Sequence, residues 1–298
     1  MQLDHTFIAI RQRSALEVWD LTLLVIRRHL KALVFLSVIG ALPWLVLNHL
    51  LTMWMVSQDY YFDHVYWFFT VNACLVALQA QVGTFLITHY LGQAIFNAEP
   101  NPMDSVRAAF KMKSKFYFGW LHLINRLVLP GLLLVAVLLT IEDTAFEVGF
   151  LVVGLLLIFV LVALIVRGRT PYLSEILLLE EAPRKSSSVK VQTYASRSKN
   201  LLQAPGADFF VKFSIAGFVG VVLSLAVYES FCLLDGVLGL QSIANSNLNY
   251  LYWPISLWIV TALIAVNRFL SYIDLRIRTE GWAVRLKLMA EERRMAEA

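Results

Sequence analysis

Six long apolar stretches govern what this chain can become: residues 32–56, 66–91, 116–140, 148–166, 209–234 and 250–269. The hydrocarbon core of a bilayer is ~30 Å thick, and a helix crosses it in about 20 residues. Lipid offers no partner for backbone N–H and C=O groups, so a spanning segment must satisfy them within a helix or a closed barrel. Barrel strands run only ~9–11 residues and alternate in polarity, whereas these stretches are longer and do not alternate. The expectation is an all-α, polytopic membrane protein with six transmembrane helices. Composition agrees, with 59% of residues hydrophobic and 15% charged, against about 45–50% and about 25% in soluble domains. Gly40, Pro43, Gly83, Pro130, Gly217 and Gly220 fall inside the stretches, where membrane helices tolerate them.

The basic residues choose an orientation. Of 25 Lys and Arg, 24 fall in four places: the first 31 residues, the connections after the second and fourth stretches, and the tail from Arg268. The other three connections hold no Lys or Arg and carry Asp59 and Asp63, then Glu142, Asp143 and Glu147, then Asp235. Positively charged connections stay in the cytoplasm, so both termini are expected inside. Residues 1–28 lack the apolar core of a cleavable leader; the first stretch would serve as an uncleaved anchor.

Three regions follow: an amphipathic cytoplasmic segment at 1–31, a six-span membrane domain at 32–272, and an amphipathic cytoplasmic tail at 273–298. In 13–28, Leu16, Val18, Trp19, Leu23 and Ile26 can share one helical face. Basic amphipathic helices beside spans lie on the membrane surface or present a docking face. Aromatic clusters beside the second and sixth stretches, including Phe68, Tyr250, Tyr252 and Trp253, read as an interfacial belt.

Polar residues inside spans are expensive and are candidate functional groups. Arg126 lies ten residues into the third stretch, about 15 Å from its inner end. His122 is one turn away on the same face and Asn125 is adjacent. Rise arithmetic places Gln79 and Gln81 of the second stretch near the depth of Arg126, and Glu229 of the fifth nearer the outer side. Arg126, His122, Asn125, Gln79, Gln81 and Glu229 are therefore the expected intramembrane polar cluster, with Arg126 bonded to Gln79 or Gln81. It is either interhelical glue or a polar pathway.

No phosphate-binding loop, nucleophile elbow, zinc-protease helix or dinucleotide fingerprint occurs. Cys74 and Cys232 sit in apolar stretches with no paired spacing and read as inert buried thiols. The net charge of +4 is distributed around spans and forms no single patch, so a nucleic-acid partner is not expected. No catalytic, cofactor or metal site is expected, and the chain reads as a non-enzyme.

The string FLSYIDLRIRTEGW, residues 269–282, resembles the close of the last span in a group of bacterial six-span proteins. These include the membrane domain associated with glycerophosphodiester phosphodiesterases and related uncharacterised families. Tyr272, Asp274, Leu275, Arg276, Arg278, Glu280 and Gly281 match that group's Tyr-x-Asp-Leu-Arg-x-Arg-x-Glu-Gly pattern. The connection after the fourth stretch, with Glu175 and then Arg197-Ser198, is similar to theirs more loosely. The resemblance implies a bacterial cytoplasmic (inner) membrane and a six-span helical domain. The phosphodiesterase barrel of the bifunctional members has no counterpart in this sequence, so their activity is not implied.

Glu175, Arg197, Asp274, Arg276, Arg278 and Glu280 form an expected cytoplasmic clasp, with Glu175 and Arg197 as counter-charges to the tail. The functional expectation is a component or scaffold of a membrane assembly, embedded in the lipid bilayer and meeting protein partners at its cytoplasmic face. The alternative is a permease-type transport subunit working with a separate ATPase.

Overall fold

The structure, a computed structural model, describes residues 13–53, 65–95, 97, 100–110, 172–179, 193–203, 206–238 and 248–280. The expected third and fourth spans, with Arg126, His122 and Asn125, lie outside the described residues, as does the tail beyond Glu280. All regular structure among the described residues is helical. In chain order the helices are α1 (Ala15–Thr52), α2 (Val65–Gly83), α3 (Phe85–Ala94), α4 (Pro102–Phe110), α5 (Leu173–Leu179), α6 (Tyr194–Gln203), α7 (Gly206–Leu238) and α8 (Leu248–Glu280). Four regions are long and apolar enough to cross a membrane: α1, the α2–α3 pair, α7 and α8. The protein is a helical membrane protein.

α1 begins where its sequence supplies a reciprocal cap. The Ser14 hydroxyl accepts from the Glu17 N–H at 3.3 Å, and the Glu17 carboxylate accepts from the Ser14 N–H at 2.8 Å. Each satisfies a donor that a helix start leaves open. From there α1 runs 38 residues, about 57 Å at 1.5 Å per residue, nearly twice a hydrocarbon core. The amphipathic segment and the first span are thus one helix, because no Gly or Pro separates them. The join is marked by His29, whose φ of −110° and ψ of 20° put an elbow in the helix.

The second span divides into α2 and α3 at Thr84, which has φ −100° and ψ 9°. Its hydroxyl donates to the Ala80 carbonyl at 2.6 Å, which also accepts the Thr84 N–H at 3.1 Å. α1 and the α2–α3 pair form an antiparallel hairpin with contacts at intervals of about one to three turns. Thr52 meets Asn72, Asn48 meets Gln79, Gly40 meets Gly83 and His29 meets Tyr90. The Gly40 contact is backbone on backbone. A Cβ on Gly40 would strike the Gly83 carbonyl oxygen, and one on Gly83 would strike the Trp258 ring.

α8 is the common wall, packing on α1, α2, α3 and α7. The largest core gathers at the end where α1 starts and α8 finishes, hereafter the terminal end. There Val18, Val25, Leu86, Tyr90, Ile176, Phe269, Tyr272 and Ile277 are buried together. Trp258, Ala41 and Val76 fill the middle. At the far end Phe68, Phe69, Tyr228, Tyr250 and Trp253 meet edge to face at centroid distances of 5.3–5.9 Å. The Trp253 indole donates to the Phe69 carbonyl at 3.0 Å. Phe68 and Trp253 are therefore buried against neighbouring helices, where a simple belt would turn them outward. α7 is peripheral: 11% of its apolar window is buried, against 67% for α2–α3. Its exposed Phe218, Val221, Val222 and Leu225 form a surface suited to lipid.

Gly40→Ala should force α1 from α2 and lower stability by roughly 1–3 kcal/mol, the usual cost of overpacking. Gly217→Ala, where a Cβ meets nothing within 4 Å, should be neutral. Thermal unfolding of the detergent-extracted protein compares the two, and equal melting points would refute the Gly40–Gly83 contact.

Candidate functional site

Two polar constellations are buried among the described helices. The first lies between α1 and α2. Asn48 and Gln79 form a reciprocal amide pair: Asn48 Nδ2 donates to Gln79 Oε1 at 2.9 Å, and Gln79 Nε2 donates to Asn48 Oδ1 at 2.7 Å. Nearer the far end, Asn72 Nδ2 donates to Thr52 Oγ1 at 3.3 Å and to the Phe68 carbonyl at 3.0 Å. Such pairs hold membrane helices together because the alternative is an unsatisfied polar group in hydrocarbon.

The intramembrane expectation centred on Arg126 rests on residues outside those described, and within those described Gln79 has a partner of its own. Gln79 takes its partner from Asn48 in the first span, a residue the sequence reading did not single out. Gln81, two positions on, is half-buried, while Glu229 is exposed on α7 and outside the α1–α2 seam. The physical reason is facing: residues two apart on a helix point about 200° away from each other, so Gln79 and Gln81 cannot share one seam. Arg126, His122 and Asn125 lie outside the described residues.

The second constellation is the clasp at the terminal end. Glu175, on α5, is fully buried at 0% exposure. Its Oε1 accepts from Arg268 Nε at 2.7 Å and its Oε2 from the Ser174 hydroxyl at 2.7 Å. A buried carboxylate is tolerable only with its charge matched and its lone pairs occupied, and both conditions hold. The partner of Glu175 is Arg268, which α8 presents directly to α5. The Tyr172 and Tyr272 rings meet at a tilt of 46°, with centroids 5.7 Å apart. Burial first, then the negative charge of Glu175, pushes the Tyr172 phenol far above its usual range and keeps it neutral.

Asp274 and Arg278 stand four residues apart on α8, with Arg278 Nε 3.0 Å from Asp274 Oδ2. Together they close on the main chain of Arg13. Asp274 Oδ1 accepts from the Arg13 N–H at 2.9 Å, and Arg278 Nη2 donates to the Arg13 carbonyl. Residue 13 lies just outside the helix cap, so its N–H and C=O have no intrahelical partners and α8 supplies them. Arg276 lies over the Tyr272 ring at 5.9 Å, a cation–π distance. Glu280 closes α8, with its side chain outside the described residues. At this end the described contacts involve Glu175, Asp274, Arg276 and Arg278 together with Arg268 and the Arg13 backbone. Arg268 was legible only as a base at the end of the sixth stretch.

Among the described residues no three His, Cys, Asp or Glu side chains come together as metal ligands. Comparisons with family models, curated proteins and solved structures give no match to this chain. The resemblance in 269–282 therefore stands on that string alone.

Arg268→Met should strand the buried Glu175 charge and cost about 3–5 kcal/mol, while Glu175→Leu/Arg268→Met together should recover most of the loss. Unfolding of the three variants in detergent gives the coupling, and additive losses would show that the pair is not a unit. At the amide seam, Asn48→Leu leaves Gln79 unmatched and should cost ~1–2 kcal/mol, with Asn48→Leu/Gln79→Leu closer to wild type.

Proposed function

We propose that this chain is a six-span protein of a bacterial cytoplasmic membrane, with both termini inside. In this reading it acts as a non-enzymatic component of a larger membrane assembly and receives protein partners on its cytoplasmic face. The observation that carries the reading is the clasp. Glu175 and Asp274, at 0% and 1% exposure, bind α5, the start of α1 and the end of α8 into one packed unit at the terminal end. Charge invested at that depth fixes the relative positions of helices, which a docking surface requires. The partition of 24 of 25 basic residues supports placing that end in the cytoplasm.

A permease-type subunit is the second reading. The buried Oδ1 of Asn72 has no hydrogen-bond partner among the described residues, and an open acceptor between spans suits a polar path.

Topology is tested by cysteine labelling of intact cells with an impermeant thiol reagent. Ser57→Cys, Thr144→Cys and Ser246→Cys should react and Ser187→Cys should not; labelling of Ser187→Cys from outside rejects the orientation. Function is tested by mild extraction from native membranes. A stoichiometric protein partner should accompany the full chain, and deletion of residues 283–298 should release it without changing the melting point. A chain that elutes alone overturns the assembly reading, and a co-purifying ATPase selects the permease.

A further inference from the structure

α1 carries apolar surface well beyond the length a bilayer needs. Before the elbow, Leu16, Leu23, Leu24 and Leu30 are 72%, 57%, 61% and 52% exposed, while Val18, Thr22 and Val25 on the opposite side are buried. Leu16, Leu23 and Leu30 recur every seven residues. The stripe continues into Val34, Val38 and Leu42, exposed residues of the apolar part of α1. Between the leucines stand the exposed Arg27, Arg28 and Lys31, with Asp20 as an exposed acid on the same side. Glu17 is occupied in the helix cap.

Two contacts fix the depth of this segment. Asn267 donates to the Thr22 hydroxyl at 3.2 Å, so Thr22 lies at the level where the apolar run of α8 gives way to Arg268. Lys31 directly precedes the apolar run of α1. Both residues therefore border the hydrocarbon, although about 14 Å of helix separates them at 1.5 Å per residue. A helix running along the membrane normal cannot have both at one depth. Because Arg13 meets Asp274 and Arg278 while Thr22 meets Asn267, residues 13–22 run antiparallel beside α8; the stretch from Thr22 to Lys31 is inclined to the normal, and the His29 elbow is where it turns into the bilayer.

We propose that the exposed face of α1 from Leu23 to Lys31 rests on anionic phospholipid at the surface on the N-terminal side of the bilayer. Leu23, Leu24 and Leu30 enter the boundary between headgroups and acyl chains, and Arg27, Arg28 and Lys31 meet lipid phosphates. Continuity with the lipid-facing side of the same helix, and the basic excess at the elbow, favour lipid over a partner protein. Which leaflet this is follows from the topology proposed above; contact with lipid does not depend on it.

The test uses the purified full chain with Cys74→Ala and Cys232→Ala, carrying Leu23→Cys labelled with an environment-sensitive fluorophore. It is reconstituted in phosphatidylcholine vesicles with a third of phosphatidylglycerol. Lipid brominated near the glycerol end of its acyl chains should quench the probe roughly twofold, as for an interfacial site. Val38→Cys is the lipid-exposed control and Lys199→Cys the water-exposed one. Quenching by brominated phosphatidylglycerol should exceed that by brominated phosphatidylcholine, and Arg27→Gln/Lys31→Gln should bring the ratio toward one. A Leu23 probe that stays unquenched while the Val38 probe is quenched overturns the proposal. So does a probe shielded only as the protein-to-lipid ratio rises, which would make the face a contact between copies. The outside-labelling experiment fails or succeeds independently, because vesicle quenching reads lipid contact on either side.

Discussion

Asp274 and Arg278 share one turn of α8 and close on the main chain of Arg13, 261 residues before Asp274. Two turns earlier, Arg268 reaches Glu175 from the same helix. Because α8 is unbroken from Leu248 to Glu280, these bonds and the apolar packing on α1, α2, α3 and α7 belong to one body. A helix that passes from hydrocarbon into a charged surround needs its last turns anchored, or it can slide and rotate at little cost. Charge-assisted bonds to the N–H and C=O of Arg13, just outside the helix cap, supply that anchor. The arrangement explains why the largest core lies at the terminal end, where packing and ion pairing reinforce one another.

Within the membrane the attachment is of another kind. Lipid tails are as apolar as leucine, so helices there associate through close contact and matched polar groups. The hairpin of α1 with α2 and α3 uses both. Gly40 lets the backbones touch, and Asn48–Gln79 and Thr52–Asn72 link the two helices on the same seam. Among the described helices α7 packs chiefly on α8 and keeps many apolar side chains outward.

Much of the architecture was legible from one dimension. Apolar length and the grouping of Lys and Arg are local properties, and the bilayer acts on each segment before any tertiary contact exists. The described spans α1, α2–α3, α7 and α8 follow from that constraint. The alternating charge of residues 274–280 was also legible as a group that needs pairing beside a span end. The sequence split residues 1–31 from the first span at Lys31, but polarity changes there while helix propensity does not. The chain therefore continues as one helix with only an elbow at His29.

The partners were decided by the tertiary structure. Gln79 bonds a residue 31 positions away and Arg268 one 93 positions away. No pattern in the intervening chain specifies either pairing. Which of Gln79 and Gln81 enters a seam depends on how α2 is rotated, and that rotation is set by Gly40 against Gly83 and by Trp258 behind them. Glu175 finds Arg268 because α5 lands against α8 with that side inward. Hydropathy and charge determine which segments enter the membrane and which ends need pairing. Facing and depth, which exist only after the helices pack, determine what each buried group meets.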